Sequence, residues 1–442
     1  SMVVTIFLNC VFWALVRTGG IDGEHVSDFN WRWQDSPEEQ LITQNLSEPT
    51  TTPAVVIPLD ADIEWPGFRG ADRSSIVRGL NIETDWSNSA PEELWRQAIG
   101  PGWSSLVVQG EYFYTQEQRG EMEVVACYSL NNGAMVWKHE DPVRFFESNG
   151  GAGPRGTPTL SGGKLYALGG TGILNALDAT TGALLWSRHA GTDTETKMPT
   201  WGFSGSPLIV ETNVIVPVSS AIIAYDIEDG NQQWMRRGGN ASYSSPHLIS
   251  IGGVVQVLFL EETGAVSLAP DSGTLLWEYP WPGNPIVQPA VSREGDLLIT
   301  ASEQSGVRRL TVTNESGDWS IKERWTSTRF KPYFHDFIIH KDHIYGLSGR
   351  ILMCASMEDG KYIWHGKSYG GQVLLLADQD LLLVLSEKGK VVLVEARQDQ
   401  FNELASIQAI EGKTWNHPVM VGNILLVRNA QEIAAYRIPV VD

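Results

Sequence analysis

ALDATTGALLW, residues 176–186, sets a glycine four residues ahead of a tryptophan, Gly182 before Trp186. The same interval recurs at Gly133 and Trp137, Gly230 and Trp234, Gly273 and Trp277, and Gly360 and Trp364. Each glycine follows a polar pair, and the flanks alternate β-branched and apolar residues. Glycine supplies the left-handed backbone that a tight turn demands, so each copy reads strand, turn, strand. Trp95 and Trp325 extend the series with degenerate turns, and Ala405 in NELASIQ holds the place of an eighth outer strand. Along Trp95, Trp137, Trp186, Trp234, Trp277, Trp325, Trp364 and Ala405 the intervals are 42, 49, 48, 43, 48, 39 and 41 residues. Periods of that size, with four short strands each, predict propeller blades.

A second series gives the same count. A short polar or aromatic cluster runs into an apolar segment at Trp103 (WSSLVV), Gly156 (GTPTL), Gly205 (GSPLIV), Ser244 (SSPHLI), Val287 (VQPAV), His335 (HDFII), Gly370 (GGQVLLL) and Asn416 (NHPVMV). These are eight innermost strands. The last segment supplies three strands without a tryptophan strand, whereas Trp95 belongs to a strand with no blade before it. The expected fold is therefore all-β, an eight-bladed propeller of four-stranded antiparallel blades. It closes by pairing the 93–99 strand with the C-terminal three, which removes the open edges of a linear array.

Ahead of the propeller, expected over 65–442, two segments differ in composition. Val3 to Val16 (VVTIFLNCVFWALV) is apolar except for Thr5 and Asn9. It falls short of the roughly 20 residues of a bilayer span, and residues 1–17 read as a membrane anchor or signal anchor, shortened at its front, or else as a strand or helix packed on the globular body. Residues 18–64 are rich in Gly, Asp, Glu, Pro and Thr and read as an acidic linker. Within it Ser36-Pro37-Glu38-Glu39 offers an N-cap serine, a proline at the first helical position and a capping-box glutamate, which predicts a short helix over about 36–46.

The 442-residue chain carries 32 basic and 52 acidic residues, a formal charge of −20 that repels phosphate backbones and argues against nucleic acid as a partner. Cys127 and Cys354 stand six residues before their turn glycines, where other copies hold Ala176, Ala224 and Ser267. A position that accepts Ala, Ser and Cys is a tight packing site, so these are expected to be buried thiols without a disulfide. Cys10 lies in the apolar run, without the surroundings of a lipoprotein signal.

The repeat resembles the pyrroloquinoline-quinone-like family, whose hallmark is Ala-x-Asp-x-x-Thr-Gly-x-x-x-Trp. Residues 176–186 match it fully, and AYDIEDGNQQW (224–234) and SLAPDSGTLLW (267–277) keep its frame. The opening WPGFRGADRSSIVRG (65–79) and the EELW strand are also similar to membrane-anchored propellers of planctomycete-like bacteria. The resemblance implies the propeller fold over residues 65–440. For function it implies either a quinoprotein dehydrogenase or a non-catalytic scaffold of the BamB-like kind. Such dehydrogenases stack the quinone against a vicinal disulfide and hold calcium, and this chain has no adjacent cysteines. It also lacks Cys-x-x-Cys-His, a Walker loop and His-Glu-x-x-His, and Gly202-Phe203-Ser204-Gly205 reads as a turn rather than a nucleophile elbow.

The remaining candidate site is the mouth of the ring, where residues just before the innermost strands converge. From the first blades it gathers Trp103, Arg155, Trp201, Phe203 and Tyr243; from the middle ones Gln288, Phe334, His335 and Asp336; from the last Tyr369, Trp415, Asn416 and His417. Convergent aromatics with a few polar groups suit a small-molecule or peptide pocket, or plug the channel. The glycine-rich loop from Glu147 to Arg155 lets backbone approach a ligand or cross the channel, and Arg155 is placed to clamp a carboxylate. Tyr114 to Gly120 puts polar residues in a strand where apolar ones are expected, which suggests a functional face.

Two functions follow as expectations. The first is a non-catalytic binding or scaffold propeller, extracytoplasmic and membrane-anchored, serving a membrane-associated assembly through a protein partner and using neither cofactor nor metal. The second is a dehydrogenase dependent on pyrroloquinoline quinone and calcium and acting on alcohols or sugars, with Asp336 as base and Arg155 near the quinone. A carbohydrate-binding propeller using the aromatic ring is a third.

Overall fold

The computed structural model describes residues 11–21, 27–45, 64–239, 242–302, 304–441 of the chain. Eight antiparallel sheets follow one another in chain order, and each gives four strands to a propeller. Blades 1 to 7 span 107–141, 159–189, 208–237, 247–280, 290–327, 337–368 and 372–408. Blade 8 joins Val419–Val421, Ile424–Arg428 and Glu432–Arg437 to Glu92–Ala98, with Ala435 opposite Trp95. The ring thus closes as the orphan strand requires.

The repeat works between blades as much as within them. The turn glycines Gly133, Gly182, Gly230, Gly273 and Gly360 share a left-handed φ of 67–72°. Each lies against the ring of the preceding blade's tryptophan, so that a Cβ on Gly182 would stand 2.4 Å from Trp137. The indole N–H groups of Trp95, Trp137, Trp186 and Trp234 donate to backbone carbonyls of the following blade, Leu130, Ala179, Ile227 and Pro270. Trp277 is the exception, donating at 2.6 Å to Gln256 Oε1 of its own blade. Blade 5, which follows, replaces the glycine turn with a long hairpin, Val307–Glu315 and Asp318–Ser327.

Opposite the tryptophans in the strand ladders stand the small residues Cys127, Ala176, Ala224, Ser267 and Cys354. Cys127 and Cys354 are fully buried free thiols. Hydrophobic clusters fill the spaces between neighbouring blades, and one of them joins blades 7, 8 and 1 across the closure. The core is therefore a ring of interfaces around a channel.

Residues 65–83 cross that channel. Trp65 exchanges backbone hydrogen bonds with Val108 of blade 1, and the Pro66 carbonyl accepts from Leu160 of blade 2. Arg73, buried, donates to the carbonyls of Ser206, Pro207 and Pro246 at the entries of blades 3 and 4. Ile76–Val77 then pairs in parallel with the innermost strand of blade 7, and Ile82 bridges to Val440 beyond blade 8. The segment seals one end and leaves a blind cavity at the other.

The stretch read as a linker holds structure of its own. Val16–Ile21 and Ser27–Trp31 pair as a hairpin. Helix Pro37–Asn45 has the capping box, with Ser36 Oγ accepting from Glu39 N–H and Glu39 Oε2 accepting from Ser36 N–H. Glu38 docks this helix on blade 1 through Arg144 at 2.7 Å and the Gly120 amide at 2.8 Å. Residues 1–10 and the spacer 48–58 lie outside the described residues, among which no helix is long and apolar enough to cross a membrane.

Candidate functional site

The open end of the channel is a cavity of about 550 Å³. Its wall is an aromatic collar. Trp103 and Trp415 meet with centroids 4.8 Å apart, and Phe334 lies 5.3 Å from Trp415. On the other side Trp201 and Tyr243 are 4.8 Å apart, with Tyr333 edge-on to Trp201 at 6.4 Å. Phe68, from the crossing segment, completes the floor and meets the His417 ring edge-on at 4.9 Å.

The charged groups of the lining are paired inside the protein. Arg155 binds Glu147, donates to the Gly153 carbonyl and lies 5.1 Å from the Phe145 ring centroid. The carboxylate that Arg155 clamps is thus its own loop's. Arg350 binds Glu387, which also accepts from the Trp415 indole N–H at 2.6 Å. Asp336 Oδ1 accepts from the Gln288 amide at 2.7 Å, and its Oδ2 lies 3.2 Å from His417 Nε2 and 3.5 Å from Arg69 Nε. Burial alone would raise the Asp336 pKa, but the Arg69 charge, His417 and the Gln288 amide outweigh it and hold the group at about 2. A carboxylate so stabilised is a weak base.

The histidines are neutral. Burial pushes His335 down to about 3, and His417 is lowered for the same reason despite its bond to Asp336. With His417 Nε2–H turned to the carboxylate, its Nδ1 carries a lone pair. That atom, both ring nitrogens of His335 and Gln372 Oε1 are buried without hydrogen-bond partners. All three residues line the cavity. Unmet buried polar groups are uncommon, and a cluster of them in one pocket calls for an explanation.

Of the residues expected at the mouth, Trp103, Arg155, Trp201, Tyr243, Gln288, Phe334, His335, Asp336, Trp415 and His417 line this cavity. Three do not. Phe203 is buried between blades 2 and 3 against Gly172 and Gly191. Tyr369 packs between blades 6 and 7 with its hydroxyl on Glu403. Asn416 donates to the Gly102 and Ser104 carbonyls, tying blade 8 to blade 1.

The polar side chains of the strand from Tyr114 to Arg119 are buried. Glu117 accepts from the Gly100 amide, Arg119 and Tyr128, and Gln116 from the same strand donates to the Gly156 and Leu168 carbonyls. These bonds stitch blade 1 to its neighbours. In the Glu147–Arg155 loop, Gly153 permits a close approach to the Pro101 carbonyl rather than to a ligand; a Cβ there would be 2.1 Å away. Phe68, Tyr333, Arg350 and Gln372 line the cavity as well; Phe68 stands in the opening WPGFRG, Gln372 in GGQVLLL and Tyr333 two residues before HDFII, whereas Arg350 has no such signal. Arg69 and Arg73 lay in the quoted opening, where two arginines in a Gly- and Ser-rich stretch were the available signal.

The family model described as outer membrane protein assembly factor BamB matches residues 121–366. A stretch of 139 residues is 29% identical to quinohemoprotein alcohol dehydrogenase ADH-IIG of Pseudomonas putida, which is 29% of this chain and 18% of that protein. Among solved structures, BamB from Moraxella catarrhalis is similar with a TM-score of 0.55 at 15% identity, covering 78% of this chain and 99% of that one. Quinohemoprotein alcohol dehydrogenase from Comamonas testosteroni is similar with a TM-score of 0.62 at 15% identity, covering 90% and 84%. These likenesses show the propeller fold.

Proposed function

We propose that this chain, which belongs to the outer membrane protein assembly factor BamB family, is a non-catalytic binding propeller, an extracytoplasmic accessory subunit of a membrane-associated assembly held by its N-terminal segment. The observation that carries this reading is the internal pairing of the cavity's charges: Arg155 with Glu147, Arg350 with Glu387, and Asp336 with Arg69 and His417. Each carboxylate of the lining already has its partner, so Asp336 is not left free as the base that the dehydrogenase reading needs. The apolar run of residues 3–16 supports the anchor.

The dehydrogenase reading draws on the Pseudomonas relative. Pyrroloquinoline quinone, a tricarboxylate held with calcium, does not fit the residues present. Both Asp336 oxygens are occupied, both arginines are paired, and the described residues contain no group of three or more acidic, His or Cys side chains that could hold a metal. The discriminating experiment incubates the full-length chain with the quinone, calcium and a panel of primary alcohols and aldoses. The binding reading expects no dye reduction, and sustained turnover contradicts it.

A further inference from the structure

The charge pairing and the unmet floor groups together specify an occupant. We propose that the cavity binds an uncharged, hydroxyl-rich ring, a saccharide unit, stacked in the aromatic collar with its hydroxyls on the floor. This deepens the binding reading above and names its ligand class.

Three observations carry it. First, an anionic ligand would have to displace Glu147 or Glu387 from its arginine, and a cationic one would have to displace the arginine, so neither charge finds a vacancy. Second, the floor lacks hydrogen-bond partners at His417 Nδ1, Gln372 Oε1 and both nitrogens of His335, in residues 8%, 3% and 3% exposed. A buried acceptor left unmet is costly, and hydroxyls, which both donate and accept, meet acceptors and the neutral imidazole alike. Third, the collar presents ring faces at Trp201 and Tyr243, while the Lys413 ammonium lies over Trp103 and Trp415 at 5.3 and 4.5 Å from their centroids. The negative face of an indole attracts the C–H groups that a sugar ring carries on its flat sides. A wholly apolar ligand would use the collar and leave the floor unmet. A volume of about 550 Å³ suits a short oligosaccharide.

The test titrates the full chain with cellotriose, maltotriose and chitotriose, read by tryptophan fluorescence and calorimetry, with adenosine as a flat heteroaromatic control. The proposal expects saturable binding by at least one trisaccharide. Affinity should change less than twofold between about 0.05 and 0.5 M salt, since no charge is exchanged. Tyr333→Ala, at the exposed rim, and Trp103→Ala should each weaken it at least tenfold. Tyr333 is 39% exposed, so its variant keeps the test valid if Trp103→Ala fails to fold. Binding to insoluble cellulose or chitin without response to trisaccharides also supports the proposal and assigns a neutral polymer as the source. Absence of both, stronger binding of adenosine, or affinity that collapses with salt overturns it. The dye assay separates the two readings: dye reduction defeats the non-catalytic function, whereas missing saccharide binding defeats only the ligand class.

Discussion

Gly182 of blade 2 lies flat against Trp137 of blade 1, with space for no Cβ: the nearest ring carbon would be 2.4 Å away. One residue thus does two things. Its φ of +72° turns its own hairpin, and its missing side chain seats the neighbouring blade's indole. Gly182→Ala meets both the left-handed backbone and the ring, so unfolding measured in urea should show a loss of more than about 1 kcal/mol. Trp137→Ala removes the other half of the contact, at a partly buried ring, and should cost at least as much. If Gly182→Ala is neutral, neither the left-handed turn nor the ring contact constrains this position.

The crossing segment gives a second prediction. Arg73 satisfies three carbonyls from two blade entries with no carboxylate partner among the described residues, and burial together with Arg69 lowers it to about 9. Arg73→Met leaves those carbonyls unmet. The variant should lower the melting temperature and expose the Trp65 region to hydrogen exchange, whereas a variant as protected as the parent would show that the segment is held elsewhere.

Acid stability follows from His247 and His335, each held at about 3 against an ordinary 6.5. Between those values the unfolded chain takes up protons that the folded one refuses, so their contribution is full above pH 6.5 and falls as pH drops. Glu123 acts in the opposite sense. Burial raises it to about 7 despite hydrogen bonds from Thr171 and the Gly170 amide, so its folded form keeps a proton that the unfolded form loses above 4.5. Calorimetry between pH 4.5 and 6.5 should therefore show a steeper loss of stability on acidification in Glu123→Gln than in the parent. Parallel curves would show that Glu123 titrates normally.

Removing one rim carboxylate should change what the cavity accepts. Glu147→Gln leaves Arg155 without its ion pair in a buried setting. The variant should gain salt-sensitive affinity for small carboxylates such as gluconate, which the parent should lack. No gain would mean that Arg155 turns away from the cavity.

Much of this molecule is legible in its sequence because the repeat repeats. Blade count, strand order and closure through Trp95 follow from periodic glycines, tryptophans and small residues whose spacing is local. The contact of each glycine with the previous blade was not legible, since it joins residues 35 to 45 apart that the strand pattern alone does not pair. The mouth was half legible. Positions before the innermost strands point inward or sideways with the turn, so His335 and His417 reach the cavity while Phe203 and Tyr369 enter blade interfaces. Charge pairing was the least readable feature. Arg155 is eight residues from Glu147 and Arg350 is 37 from Glu387, and only the folded ring shows that neither arginine is left to a ligand.

The central claim, a cavity whose charges are already paired, is tested most directly by calorimetric titration of the full-length chain with pyrroloquinoline quinone in the presence of calcium. The account predicts affinity weaker than about 1 mM, or about −4.1 kcal/mol. Saturable sub-micromolar binding, abolished by Arg155→Gln, would contradict it.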